Sequence, residues 1–201
     1  MDILAHGLWT NLAKEGFNLK FKKEIKTSWA IFWGIFPDLF AFTPLFLWGF
    51  FNLILGRQII PPSPEKLEPV SFNSLSISHL TSVLYSISHS FIIFVLVFGL
   101  IYLFKKRIYF TLFGWPLHIL IDIPTHSYKF YPTPFLWPIS NFKFGGISWA
   151  EPWFMILNYS SLLIIYAFIY FLKKGKHDKN SPPEADPPSE EKYKNQPRTR
   201  A

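Results

Sequence analysis

Residues 118–126 read HILIDIPTH, and they place His118, Asp122 and His126 in a run otherwise apolar enough to be a membrane span. On a helix, His118 and Asp122 are four positions apart and share one face, one turn above the other. Pro124 cannot continue that helix normally, so Thr125 and His126 are expected in the turn beyond it. A His and a carboxylate at this spacing can clasp one divalent cation. The plainer alternative is a hydrogen bond that packs one helix on another. His126 is open to three roles: ligand, proton donor or substrate contact.

Three more ionisable residues fall at comparable depth. At 1.5 Å rise per residue, Asp38 lies roughly 18 Å beyond Lys26 and His118 roughly 16 Å beyond Arg107. Asp122 lies roughly 22 Å beyond Arg107, His89 roughly 24 Å before Lys105, and His6 roughly 12 Å before Lys14. Ionisable groups at such depth are costly in lipid, so they are expected to converge inside a helical bundle. His6, Asp38, His89, His118 and Asp122 are therefore the candidate metal ligands. Each has a structural alternative: a hydrogen bond to a neighbouring helix for His6, a helix cap for Asp38, a packing role for His89. His79 reads as a surface residue, Glu151 as one half of an interfacial salt bridge, and His177 as part of a hydrophilic tail.

The elements that must position these residues follow from hydropathy. Residues 1–13 form a short apolar helix, too short to span, that stops at a basic stretch from Lys14 to Lys26. Four spans are expected: 29–55, interrupted at Pro37 and Pro44; 80–104, with a Ser-rich first half suited to close helix contact; 108–123; and 153–172, which reads as a structural wall. Residues 56–78 read as a polar, Pro-rich loop. The aromatic, Pro- and Gly-rich loop of 124–152 is expected to fold back onto the outer end of the bundle. The fold class is an all-α integral membrane bundle over residues 1–176, followed by a disordered tail over 177–201.

Composition agrees with a membrane location. Of 201 residues 50% are hydrophobic, 20% aromatic and only 16% charged. The formal net charge of +7 sits in three segments: before the first span, at Lys105–Arg107, and after Lys173. This is a topology signal rather than a nucleic-acid footprint, and it places both basic ends in the cytoplasm of a multi-pass inner-membrane protein. No secretory signal peptide is recognisable at the start. With Cys 0, disulfides, thiolate metal sites and Cys nucleophiles are excluded. A metal must use His and carboxylate, which favours zinc, manganese or a similar divalent ion.

The order His6-Gly7, Pro37-Asp38, His89-Ser90 and His118 to Asp122 resembles the YdjM-like family of LexA-regulated, inner-membrane metal-dependent hydrolases. The resemblance covers residues 1–153, and its motifs are short. That family is distantly similar to zinc-dependent phospholipase C and P1-type nucleases, helical enzymes whose His/Asp metal clusters cleave phosphoesters. The chain departs from the family pattern where Ser88 stands for the usual Thr, and where Leu39 and Phe40 follow Asp38 in place of a second acid.

These readings imply a membrane-bound metal-dependent hydrolase of ester or phosphoester bonds, acting through metal-activated water. Asp122 is the candidate bridging carboxylate and Asp38 the candidate general base. No Gly-x-Ser-x-Gly setting is present, which favours attack by water over a side-chain nucleophile. A membrane phospholipid or another phosphoester at the interface is the expected substrate. The alternative is a non-catalytic membrane protein whose His/Asp cluster binds a metal or protons for transport or regulation.

Overall fold

A computed structural model describes residues 1–57, 76–128 and 131–180. The chain is all-helical, with 74% helix and no strand among the described residues. Helix α1 spans Ile3–Phe21. It starts where Asp2 accepts a hydrogen bond from the Ala5 amide at 2.9 Å, an N-cap that satisfies one of the free first-turn donors. It is longer than the 1–13 expected, because the basic stretch continues the helix instead of stopping it. It ends at Lys22, which adopts a left-handed conformation with φ 50°.

Helix α2 spans Thr27–Ile54 as one unbroken helix with Pro37 and Pro44 inside it. This corrects the expected interruption. The second expected span is broken instead. Helices α3 (Ser76–Ser88) and α4 (Phe91–Lys105) meet at a 62° bend, and His89 and Ser90 form the break. Ser90 caps α4 by accepting from the Ile92 and Ile93 amides at 3.1 and 3.3 Å. The carbonyl freed on Ser88 accepts from the Trp115 indole at 2.6 Å.

The third expected span is shorter than a membrane helix. A 3-10 turn at Phe110–Phe113 leads into helix α5, Gly114–Thr125, of 12 residues. A helix that short falls well below the ~20 residues needed to cross a bilayer. Pro124 lies in its last turn and His126 follows as its C-cap. Helix α6 spans Pro152–Asn180. Among the described residues two helices are apolar and long enough to cross a membrane, α2 and the Pro152–Gly175 part of α6, or three if the bent α3–α4 pair counts as one. Residues 108–123 form too short a helix to count among them.

The chain divides into two compact units, Met1–Tyr166, which carries every candidate ligand, and Ala167–Ala201. Helix α6 continues through the expected boundary at residue 176; residues 181–201 of the expected tail lie outside the described residues, as do 58–75 of the polar loop.

Large apolar residues point outward all over the molecule, with Phe104 81% and Leu163 71% exposed. Polar residues fill much of the centre. That distribution suits lipid outside and a built polar site inside. The close helix crossing that makes it possible uses glycine. A Cβ on Gly114 would stand 2.8 Å from the Gly34 amide nitrogen and 2.9 Å from the Ala30 carbonyl oxygen. Likewise, a Cβ on Gly34 would stand 2.1 Å from the Thr10 hydroxyl. Helices α2 and α5 therefore approach backbone to backbone, and α1 packs its Thr10 side chain onto the Gly34 backbone.

Candidate metal centre

The candidate ligand side chains come from four places in the fold. His6 is on the second turn of α1, Asp38 directly follows Pro37 in α2, His89 occupies the α3–α4 break, and His118 and Asp122 share one face of α5. His6, His89, His118 and Asp122 are each 0% exposed. Asp38 retains 13% side-chain exposure, so the cluster's one partly open member is on α2.

One ligand atom from each of Asp38, His89, His118 and Asp122 lies within 4.8 Å of the others, a group that can hold a metal ion. His89 Nε2 stands 3.5 Å from Asp38 Oδ1 and 3.4 Å from Asp122 Oδ2. For His118 Nε2 the corresponding distances are 3.7 and 3.1 Å. The two Nε2 atoms are 3.1 Å apart.

The imidazoles are held from behind by backbone carbonyls. His118 Nδ1 donates to Gly34 O at 2.7 Å, which the Gly114–Gly34 approach allows. His89 Nδ1 lies 3.1 Å from Tyr85 O and 2.9 Å from Ser88 Oγ, while Ser88 Oγ itself donates to Pro37 O at 3.0 Å. A carbonyl oxygen only accepts, so each of these rings carries a proton on Nδ1 and directs its Nε2 inward toward the carboxylates. Two neutral imidazoles would then face each other lone pair to lone pair across 3.1 Å. That arrangement is repulsive unless a cation or a proton lies between them.

Asp122 has a second face. Its Oδ1 lies 2.8 Å from His6 Nε2 and 3.2 Å from His126 Nε2, and it also contacts the Met1 amino group. The Met1 nitrogen is 2.7 Å from His126 Nε2. His126 Nδ1 in turn donates to Tyr131 O at 2.9 Å, and Tyr85 OH donates to the same carbonyl at 2.9 Å. His6 stacks on His118 with ring centroids 3.6 Å apart. Its Nε2 is close enough to Asp122 for a hydrogen bond but is not aligned for one, and neither ring nitrogen has a hydrogen-bond partner among the described residues. Asp122 Oδ2 is likewise buried without one. Such crowding of ring nitrogens around a buried carboxylate is compatible with a cation site.

All the sequence-derived candidates thus meet in one place: His6, Asp38, His89, His118 and Asp122, with His126 beside Asp122. His79 and Glu151 are exposed and stand outside the cluster. Sequence reasoning missed the supporting carbonyls of Gly34, Tyr85 and Tyr131, because any residue type supplies a carbonyl. It also missed Tyr85, whose ring stacks on His89 with centroids 3.8 Å apart. The i, i+4 spacing of Tyr85 and His89 on one helix was the signal for that pair.

The loop after α5 closes one end of the cluster. Gly146, Ile147 and Trp149 amides donate to the carbonyls of His126, Pro124 and Thr125 at 2.8, 2.9 and 2.9 Å. A Cβ on Gly146 would meet Pro124 O at 2.2 Å, so only glycine permits this approach. The Phe91 amide and the Ser90 hydroxyl bond to the carbonyls of Phe135 and Trp137, tying the same loop to the α3–α4 break.

Helix α1 is secured against α6. Trp9 Nε1 donates to Asn158 Oδ1 at 2.8 Å, Tyr159 OH donates to Asp2 Oδ1 at 2.9 Å, and Asn11 Nδ2 donates to Tyr166 OH at 2.8 Å. The expected plain wall therefore carries the polar contacts that hold His6 in register. No family model matches the chain, and neither does any curated protein or solved structure.

Proposed function

We propose that the chain is a membrane-embedded metal-dependent hydrolase of ester or phosphoester bonds. One observation carries the reading: the donor set of Asp38, His89, His118 and Asp122 has the dimensions of a metal polyhedron. A tetrahedral site with ~2.0–2.2 Å ligand distances has donor–donor edges of roughly 3.3–3.6 Å. The five His–Asp and His–His edges run from 3.1 to 3.7 Å. Neutral imidazole and carboxylate without thiolate suit zinc first, and manganese second. Such a cation, when bound, supplies Lewis-acid polarisation of the scissile group and acidifies water at near-neutral pH.

This chain's own residues divide the remaining work. Asp122 presents Oδ2 to His89 and His118 and Oδ1 to His6 and His126, the disposition of a carboxylate bridging two positive centres. Asp38 is the partly exposed ligand, placed to accept a proton from water at the open side. His126, with its Nδ1 proton committed to Tyr131 O, offers an Nε2 that can take up or pass on a proton beside Asp122. The motif order shared with the YdjM-like family supports the same reading. So does the depth of the cluster, which points to a phospholipid or another interfacial phosphoester.

A second reading rests on how closed the cluster is. With every member but Asp38 fully buried, the same group suits a metal- or proton-binding role in transport or regulation without turnover. Hydrolysis of bis(p-nitrophenyl) phosphate and of a fluorogenic phospholipid by the detergent-purified chain separates the two. The hydrolase reading predicts activity that chelation abolishes, that zinc or manganese restores, and that Asp38→Asn removes. Tight metal binding with no turnover on either substrate favours the second reading.

The three basic segments support an inner-membrane orientation with both basic ends in the cytoplasm. Helix α5 fits it by running beside α2 from the basic end, with Gly114 against Ala30, toward the cluster. Reporter fusions after Arg57 and Lys176 test this, with only the first expected outside.

A further inference from the structure

Helix α3 packs on the half of α2 beyond Pro37, away from the basic end, and the 62° bend after α3 redirects the chain into α4, which runs to Lys105 at the basic end. The wedge left between α2 and α4 is a cavity of ≈ 1100 Å³ floored by the 3-10 turn. Trp29, Trp33, Leu100 and Phe104 form its walls, and Lys26 and Lys105 stand at its rim. None of its lining residues belongs to the metal cluster.

We propose that this wedge binds one anionic phospholipid, with an acyl chain between α2 and α4 and the phosphate on Lys26 and Lys105. The walls are apolar and face outward, Trp29 being 53% and Phe104 81% exposed. Both helices belong to candidate membrane spans, so the wedge opens onto acyl chains. The charge at its mouth is predominantly positive. Lys22, Lys23 and Lys26 approach from the α1–α2 side, and Lys105, Lys106 and Arg107 from the α4 side, while Glu24 is the one acid lining the cavity. Lys23 is already drawn over the Phe110 ring, 4.2 Å from its centroid, at the cavity floor. Juxtamembrane Lys/Arg clusters attract anionic headgroups. Long lysine side chains bury their stems against apolar surface while keeping the ammonium at headgroup level. Trp29 at the entrance is the amphipathic ring favoured at that interface. A zwitterionic headgroup would gain no such advantage, and a protein or nucleic-acid partner would leave the apolar walls facing lipid. This site is independent of the hydrolase reading.

The test uses tryptophan quenching in nanodiscs. The full chain is placed in phosphatidylcholine containing a minor fraction of brominated phosphatidylglycerol, or the same fraction of brominated phosphatidylcholine. Trp29→Phe/Trp33→Phe defines the signal that belongs to the wedge. Wild type should be quenched more by the anionic lipid. Lys26→Gln and Lys105→Gln should each lower that preference roughly 5-fold, Lys26→Arg/Lys105→Arg should retain it, and Lys173→Gln/Lys174→Gln should leave it unchanged. Equal quenching by the two lipids in wild type would overturn the proposal. Equal loss in the Lys173/Lys174 control would also overturn it, since general attraction to the surface would then suffice.

Discussion

Helices α5 and α6 are both strongly apolar, yet they are built for opposite surroundings. The Pro152–Gly175 stretch of α6 has a mean hydropathy of 1.9, and only 11% of its best window is buried. Helix α5 has 12 residues, and Gly114, Trp115, His118, Ile119, Asp122 and Thr125 are all buried. In α6, composition alone determines where the helix belongs. In α5, side chains that cost about 2.5–3.5 kcal/mol each when charged at a bilayer centre are tolerated because partners from α1, α2, α3 and the following loop meet them. An apolar run interrupted on one face by His and Asp is thus packed by neighbouring elements on that face rather than left to lipid.

Ways to break this contrast fall in order of size. The largest effect is expected for His118→Ala. It should lower metal affinity by more than the roughly 10–100-fold typical of changes to outer-shell partners, as measured by competition with a chelating dye. Next comes the approach that sets α5 in place. Gly114→Val should destabilise by about 1–3 kcal/mol through overpacking against Gly34 and Ala30, read as a lowered thermal midpoint in detergent. On α6, Asn158→Ala removes the acceptor for Trp9 and should cost about 1 kcal/mol. Leu163→Ala, on the lipid face, should change stability by less than about 0.5 kcal/mol. If Leu163→Ala proved as damaging as Gly114→Val, α6 would have to be a buried core helix and the contrast would fail.

The sequence made the cluster far more legible than the helices carrying it. His6, Asp38, His89, His118 and Asp122 could be read because ionisable residues are scarce in apolar runs, so their depths align without any knowledge of packing. Span count was harder. Residues 108–123 and 80–104 have span-like hydropathy, and hydropathy does not distinguish burial by protein from burial by lipid. The α3–α4 break was written in Ser90, a strong N-cap placed directly before a long apolar run, but the serines around it read equally well as helix-contact residues. Pro37 misled in the other direction, because a proline within a helix surrounded by other helices can be accommodated when nearby groups satisfy the freed backbone. Here Ser88 donates to the Pro37 carbonyl and ties α3 to α2 at that turn. The contact of the Met1 amino group with Asp122 had no sequence signal at all.

On the proposed reading Asp122, at 0% exposure, is an anion that balances a bound cation. That role is tested most directly by elemental analysis of the purified chain, wild type beside Asp122→Asn. The substitution keeps the side-chain volume and can still accept and donate hydrogen bonds, but it removes the charge. The account predicts that wild type retains a stoichiometric divalent metal, and that Asp122→Asn keeps its helical circular dichroism while losing most of that metal. Folded Asp122→Asn with unchanged metal content would contradict it.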